Sequence, residues 1–553
     1  MPRRHPAASF ARLTLAALIL ALVLSSLAVP ATAQPSAGAF GDVIDVRVVN
    51  LEVVVEKDGE RVRGLQPEDF VIFVDGEERE IEYFTEVTGG IAVAPVDAAA
   101  TVPAIRPGEP ISTSYLIFID EFFSTVRDRD RVLERIRDQL PNLQVGDRMA
   151  IVAFDGKRLE MLQNWTSSQN ELERALQKAE IRDAYGLRRL SERRIFERGQ
   201  ADLFAFGRGR PGGFAGNLDI EEEQYAALIS TQIENAVSAA SSALRSFANP
   251  PGRKVMLLLS GGWPNDPAQY VVADLTRSVR ASDTLRGRDL LDQLTETANR
   301  LGYTIYAADV PTFSAEVIDV SDGTLAASEL RRQRSFRREI EEESALRTIS
   351  ARTGGQALLD SAALSVLEAA ANDTRSYYWL GFTPDWQGND RGHDVRVEVR
   401  APDVKVRARE GYADLSRSTE VSMMVESTLR FGNPVGTDAL AVEIGRGERS
   451  GWGKRVVPLA VDVPLDALVF LPAEGGLVAD LELRVAVIDD GGNTSDVPVI
   501  PLQLRVPETP PQGQTSTYET QLQMRKQRHE LVVSLYDKAS GQILTSRVDV
   551  PRL

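Results

Sequence analysis

The run Tyr115–Ile119 is apolar, closes on Asp120 and Glu121, and is followed by Ser124. Carboxylate and hydroxyl oxygens gathered at the end of a buried strand are donors suited to a hard divalent cation. They could equally cap the turn after the strand by bonding its backbone N–H groups. Acid–base work by Asp120 with Glu121, or by Asp489 with Asp490, would require environments that split their pKa values. Neighbours on a strand point to opposite faces, which separates such a pair. Asp489-Asp490-Gly491-Gly492 reads more simply as a β-turn.

Several other chemistries lack their residues. The 553-residue chain has no cysteine, which excludes disulfides, thiolate metal sites and cysteine nucleophiles. Its three histidines, His5, His393 and His529, are far apart, which argues against a zinc cluster or a Ser-His-Asp arrangement. Ser260 does not sit in a Gly-x-Ser-x-Gly elbow, because Leu258 stands where the first glycine belongs. Gly207–Gly213 is glycine-rich but lacks the Gly-Lys-Ser/Thr ending of a phosphate loop. A net charge of −17 argues against a nucleic-acid partner, whose phosphates need clustered Lys and Arg.

The elements that must position Asp120 follow from periodicity. Residues 43–88 alternate apolar and polar side chains around the turns Lys57–Glu60 and Asp75-Gly76, which predicts a small β module. Strands in 376–412, where Val395, Val397 and Val399 alternate, are expected to complete it. Residues 112–375 alternate apolar runs with helical stretches such as Val132, Ile136 and Leu140. That alternation predicts an α/β domain with a doubly wound, mostly parallel sheet. Two Arg-rich segments, 182–222 and 311–340, interrupt the rhythm and read as insertions near the strand ends. From 420 to 553, short alternating runs separated by Gly, Pro and Asp predict a C-terminal antiparallel β-sandwich.

The N-terminus carries Arg3, Arg4 and Arg12, then an apolar stretch, then the small residues Ala31-Thr32-Ala33. This predicts a signal peptide over 1–33 and a periplasmic or secreted product. The apolar stretch also approaches the length of a membrane anchor, but the small-residue site favours cleavage. No later segment is apolar enough to span a membrane.

Three stretches carry a resemblance. They are Leu65–Phe84, the apolar runs through Tyr115–Ser124, Val145–Phe154 and Lys254–Gly262, and Arg375–Tyr412. The middle of the chain resembles a von Willebrand factor A domain, and roughly residues 43–415 resemble the bacterial VWFA-related Acidobacterial domain family. The resemblance implies a metal-ion-dependent adhesion site at the C-terminal edge of the sheet. Its pattern is Asp-x-Ser-x-Ser after the first strand, a loop threonine, and an aspartate after the fourth strand. Asp120 and Ser124 match and are the candidate metal ligands. Phe122 replaces the first serine, Gly261 stands at the aspartate, and no loop threonine is identifiable. Glu121 and Ser260 are neighbours that could substitute, and Asp309 ends a strand expected on the same edge. Mg²⁺ demands near-octahedral oxygen coordination, so these residues imply a degenerate site and no cofactor, with Mg²⁺ as the alternative.

The resulting expectation is a non-enzymatic, exported binding, adhesion or assembly protein. Its edge residues Asp120, Glu121, Ser124, Ser260 and Asp309 would face an unidentified envelope or extracellular protein partner. The alternatives are a Mg²⁺-dependent adhesion domain with a rearranged site, and a carboxylate-based hydrolase of envelope glycans.

Overall fold

A computed structural model describes residues 48–93, 106–207, 215–248, 250–271, 287–310, 325–359, 365–432, 435–451, 453–492, 494–495 and 497–552. The expected signal peptide lies outside these residues, as do 208–214 and 311–324 of the two Arg-rich segments.

Five strands of the middle region form one mixed sheet: β1 (Thr113–Asp120), β2 (Arg148–Phe154), β3 (Leu159–Thr166), β4 (Arg253–Ser260) and β5 (Tyr303–Asp309). Their order is β5-β4-β1-β2-β3, with β3 antiparallel to β2 and the other pairings parallel. The helices are α1 (Val126–Gln139), α2 (Gln169–Glu180), α3 (Gly186–Gly207), α4 (Ala215–Ser246), α5 (Pro267–Val271), α6 (Arg288–Leu301), α7 (Leu325–Arg352), α8 (Val366–Thr374) and α9 (Arg417–Phe431).

β1 and β4 are buried on both faces, which is why their sequences are nearly unbroken apolar runs. Leu116, Phe118, Met256 and Leu258 pack against Ile233, Val237 and Ala240 of α4, Leu294 of α6 and Ile349 of α7. Tyr115, Ile117, Ile119 and Leu257 pack on the other side against Val132 and Ile136 of α1, Leu172 and Leu176 of α2, and Val366 of α8.

The fold class expected from the sequence is corrected by the remaining sheets. The chain is mostly antiparallel β, and an α/β, doubly wound parallel sheet does not describe it. Parallel pairing among the described residues is confined to β1–β2, β1–β4, β4–β5, a two-residue contact of Thr437-Asp438 with Leu544-Thr545 and the isolated bridge Ala308–Leu358. Every other strand pairing among them is antiparallel. The physical reason lies in the connections. Most strands lie outside the middle region, and short loops link many of them, which permits only antiparallel pairing.

In the N-terminal module, Val49–Lys57 pairs with Tyr377–Phe382 and with Lys405–Arg407, and Phe70–Val74 pairs with Gly392–Val399. The turn between Phe70–Val74 and Glu77–Arg79 has φ of 51° at Asp75 and 86° at Gly76, the left-handed pair that a tight hairpin requires. Leu51, Val53, Ile72, Phe84, Tyr378 and Leu380 form its core. Asp373 at the end of α8 ties this module to the mixed sheet. It accepts from Arg407 at 2.7 Å, from Tyr306 of β5 at 2.5 Å and from Arg61.

In the C-terminal region, one sheet pairs Lys454–Pro464 with Thr515–Arg525, and another pairs Gly476–Asp489 with His529–Asp537 and Val499–Val506. Val457, Leu459 and Val461 of one sheet share a core with Leu481, Leu483, Leu531 and Val533 of the other. Helix α9 begins this region, where the sequence pattern predicts short strands from residue 420. Val421, Val425 and Leu429 recur every four residues and pack on Ala486, Val532 and Tyr536. Ser416 caps the helix by accepting the Thr419 N–H at 3.1 Å, and Gly432 closes it at φ 69°.

Candidate functional site

The strand register sets the edge. Leu259 of β4 lies opposite Ile119 of β1, and Ser260 lies opposite Asp309 of β5, so Asp120, Ser260 and Asp309 come from three adjacent strand ends. Asp120 is fully buried. Its Oδ2 accepts the Ser260 hydroxyl at 2.7 Å and the Trp263 indole N–H at 2.8 Å, and its Oδ1 accepts the Phe123 N–H at 3.1 Å. Burial raises its carboxyl above the usual range, against the pull of these donors and of the Arg189 charge.

Glu121 serves a different neighbourhood. Its two oxygens take Nε and Nη2 of Arg182 at 2.6 and 3.1 Å, and Arg129 stands 3.7 Å away. Ser124 is buried, and its Oγ has no hydrogen-bond partner. Its carbonyl accepts the N–H of Gly186, the first residue of α3, at 2.9 Å. Thr125, not Ser124, caps α1. Asp309 is half-buried, and its carboxyl is pushed up to about 7 by burial and then by Glu342, Glu343, Glu339 and Asp128. The edge therefore joins Asp120 to Ser260, while Glu121 is drawn into an arginine pair.

The two Arg-rich segments close over this edge. The Arg189 guanidinium of α3 lies 3.7 Å from the Phe123 ring centroid and 5.6 Å from that of Phe122. Arg193 donates to the Tyr270 hydroxyl at 3.4 Å, and that hydroxyl donates to Glu342 of α7 at 2.8 Å. Burial and Glu342 push the Tyr270 phenol up to about 12. Arg338 of α7 pairs with Glu197 of α3 and lies 5.6 Å from the Tyr270 ring. Phe196 of α3 stacks on Tyr225 of α4 at 4.3 Å. The turn after β4 lets α7 approach. Gly262 has φ 90°, and a Cβ there would lie 2.6 Å from the Glu342 Cβ.

These residues do not fit a Mg²⁺ ion at the matched positions. Both oxygens of Asp120 are already engaged by O–H and N–H donors, and the Phe122 ring stands where a hydroxyl is needed. No group of three acidic or histidine side chains suited to a metal occurs among the described residues. The residues that the sequence pattern does not single out are Trp263, Arg182, Arg189, Arg193, Tyr270 and Glu342. The indole after Ser260-Gly261-Gly262 and the mixed Arg–Phe composition of 182–222 are their only signals.

No protein-family profile matches the chain, and no curated protein matches it. Among solved structures, Bacteroides uniformis β-glucuronidase overlaps 32% of this chain and 19% of its own, at 12% identity and a TM-score of 0.16. Bacteroides uniformis β-glucuronidase 2, bound to cyclophellitol-6-carboxylate aziridine, covers the same shares at 10% identity and a TM-score of 0.15. The chain thus spans about a fifth of the length of these enzymes, and at such TM-scores the likeness carries no argument.

Proposed function

We propose that this chain is a non-enzymatic, exported binding or assembly protein that recognises another protein with the helical cap over its strand-end edge. The observation that carries this reading is the division of the cap into a sealed inside and an apolar outside. Inside, Asp120 is consumed by Ser260, Trp263 and the Phe123 N–H. Outside, Leu187 and Ile195 of α3 are 59% and 70% exposed, and Phe336 and Ile340 of α7 are 65% and 49% exposed. Leu187, Ser191, Arg194 and Ile195 share one helical face by their spacing, as do Phe336, Ile340, Glu343 and Arg347, the last two paired at 3.1 Å. The Arg338–Glu197 pair draws the two helices together. Exposed apolar side chains concentrated on neighbouring helices are the usual mark of a protein-binding surface, and Arg194 beside them suits a partner with an acidic group at its rim.

The test is crosslinking of the mature chain in envelope extracts, with and without EDTA, beside the double variant Leu187→Asp/Phe336→Asp. The reading expects one crosslinked protein that persists in EDTA and disappears in the variant. Loss in EDTA, or retention by the variant, overturns it.

A further inference from the structure

A cavity of about 170 Å³ lies in the N-terminal module, between the Asp75 turn, the loop after Phe382 and the strand Gly392–Val399. Aromatic rings form part of its wall. His393 stacks on Tyr412, with centroids 4.9 Å apart and planes at 16°, and Trp386 meets Tyr412 edge-on at 5.9 Å and 75°.

The walls are held from behind. Asp75 Oδ2 bonds His393 Nδ1 at 2.9 Å, and its Oδ1 accepts the Asp394 N–H at 3.0 Å. The bond at Nδ1 sets the ring plane and leaves Nε2 as the nitrogen not held by Asp75. Asp414, itself buried, accepts the N–H groups of Gln387 at 2.7 Å and Gly388 at 2.9 Å, and so pins the loop that carries Trp386. Walls fixed in this way need little ordering when a ligand enters.

Charge and size narrow the ligand. Arg79 and Arg391 are balanced by Asp75, Asp385 and Asp414, so the lining charges almost cancel. An anion would meet the carboxylates and a cation the guanidiniums. The guanidiniums of Arg79 and Arg391 stand beside the exposed Asp385 carboxylate and beside the Gln387 and Asn389 amides, which bond each other at 3.3 Å, and this mixture of donors and acceptors suits hydroxyls, which both donate and accept. The aromatic wall suits an apolar ring face. A cavity of about 150 Å³ accommodates benzene, so this one takes a six-membered ring whose substituents reach out through the pocket mouth.

We propose that this pocket binds a neutral, polyhydroxylated six-membered ring, a pyranose unit of a glycan. Asp385, Asn389 and Arg391 at the pocket are exposed, so further sugars can extend into solvent. This site is separate from the helical cap and does not depend on its role.

The test is ligand-observed NMR on the full chain with glucose, galactose and N-acetylglucosamine, and with acetate and methylguanidinium as charged probes. At least one pyranose binds, and Trp386→Ala and Arg391→Ala each weaken it about tenfold or more. Arg391 is exposed, so its variant tests the pocket even where Trp386→Ala disturbs the loop. Binding by none of the three sugars at tens of millimolar, equal binding by Arg391→Ala, or stronger binding of either charged probe overturns the proposal.

Discussion

Trp263 donates its indole N–H to the same Asp120 oxygen that takes the Ser260 hydroxyl, at 2.8 and 2.7 Å. Both donors are buried, and a buried donor left without its acceptor is costly. Here they fasten the turn after β4 to the end of β1, so this carboxylate acts as a structural anchor.

Asp120→Ala removes the acceptor and orphans a buried indole N–H and a buried hydroxyl. A loss of about 2–4 kcal/mol is expected, since each buried unsatisfied group costs ~1–3 kcal/mol. Urea denaturation measures it. A loss within experimental error contradicts the anchor.

The melting temperature of the wild-type chain is expected to stay constant from EDTA to millimolar Mg²⁺. A ligand that binds the folded state must raise it. A dose-dependent rise that Asp120→Ala removes would establish a metal site.

Asp309 sets a pH dependence whose sign follows from its raised carboxyl, at about 7 in the fold. An unfolded aspartate titrates near 3.9. Between these values the folded state binds more protons, so this group makes stability fall as pH rises, with its full penalty above pH 7. Asp309→Asn should flatten that slope and gain roughly 1–3 kcal/mol at pH 8 relative to wild type, because each tenfold change in proton affinity is worth about 1.4 kcal/mol and partial exposure screens the charge. Chemical denaturation at pH 5 and pH 8 decides. Equal slopes in the two proteins refute the prediction.

Asp373 acts in the opposite sense. Burial opposes its charge, yet Arg407, Tyr306 and Arg61 hold its carboxyl down at about 2. Its stabilisation is complete above the unfolded value near 3.9 and is lost as pH falls towards 2. Asp373→Ala leaves Arg61 and Arg407 with Glu56 as their remaining shared carboxylate. It should cost about 3–5 kcal/mol at neutral pH, the usual penalty of breaking a buried pair. A urea midpoint unchanged at pH 7 would show that the network does not couple the module to the mixed sheet.

Gly262→Ala tests the cap itself. The substitution forces a Cβ into a positive-φ position and against the Glu342 side chain. A loss of about 1–3 kcal/mol is expected from backbone strain, with further cost from displacing α7. Limited proteolysis of α7 reports the displacement. An α7 as resistant as in the wild type, at unchanged stability, refutes the close approach.

Local pattern is legible where local physics governs. The apolar runs of β1, β4 and β5 and the hairpin at Asp75-Gly76 can be read directly, because burial on both faces and left-handed φ each leave a signature in residue type. Helix α9 escapes such a reading although Val421, Val425 and Leu429 are spaced for it, because it opens a long stretch dominated by strand alternation. The expected fold class fails because it takes the α/β rhythm of 112–375 as the leading architecture, with the flanking β regions as additions, when most strand pairings among the described residues are antiparallel.

By itself, the sequence determined which side chains are missing: there is no cysteine, histidine is scarce, and Phe122 and Gly261 offer no side-chain oxygen at the positions where the resemblance would place cation ligands. Only the tertiary structure decided what Asp120 does instead. Its partners Ser260 and Trp263 lie 140 and 143 residues away and are brought to it by the parallel register of β1 with β4. The arginines of α3 reach the same edge from another segment. A carboxylate's role depends on which donors surround it, and that is set by packing between distant segments, which no local spacing records.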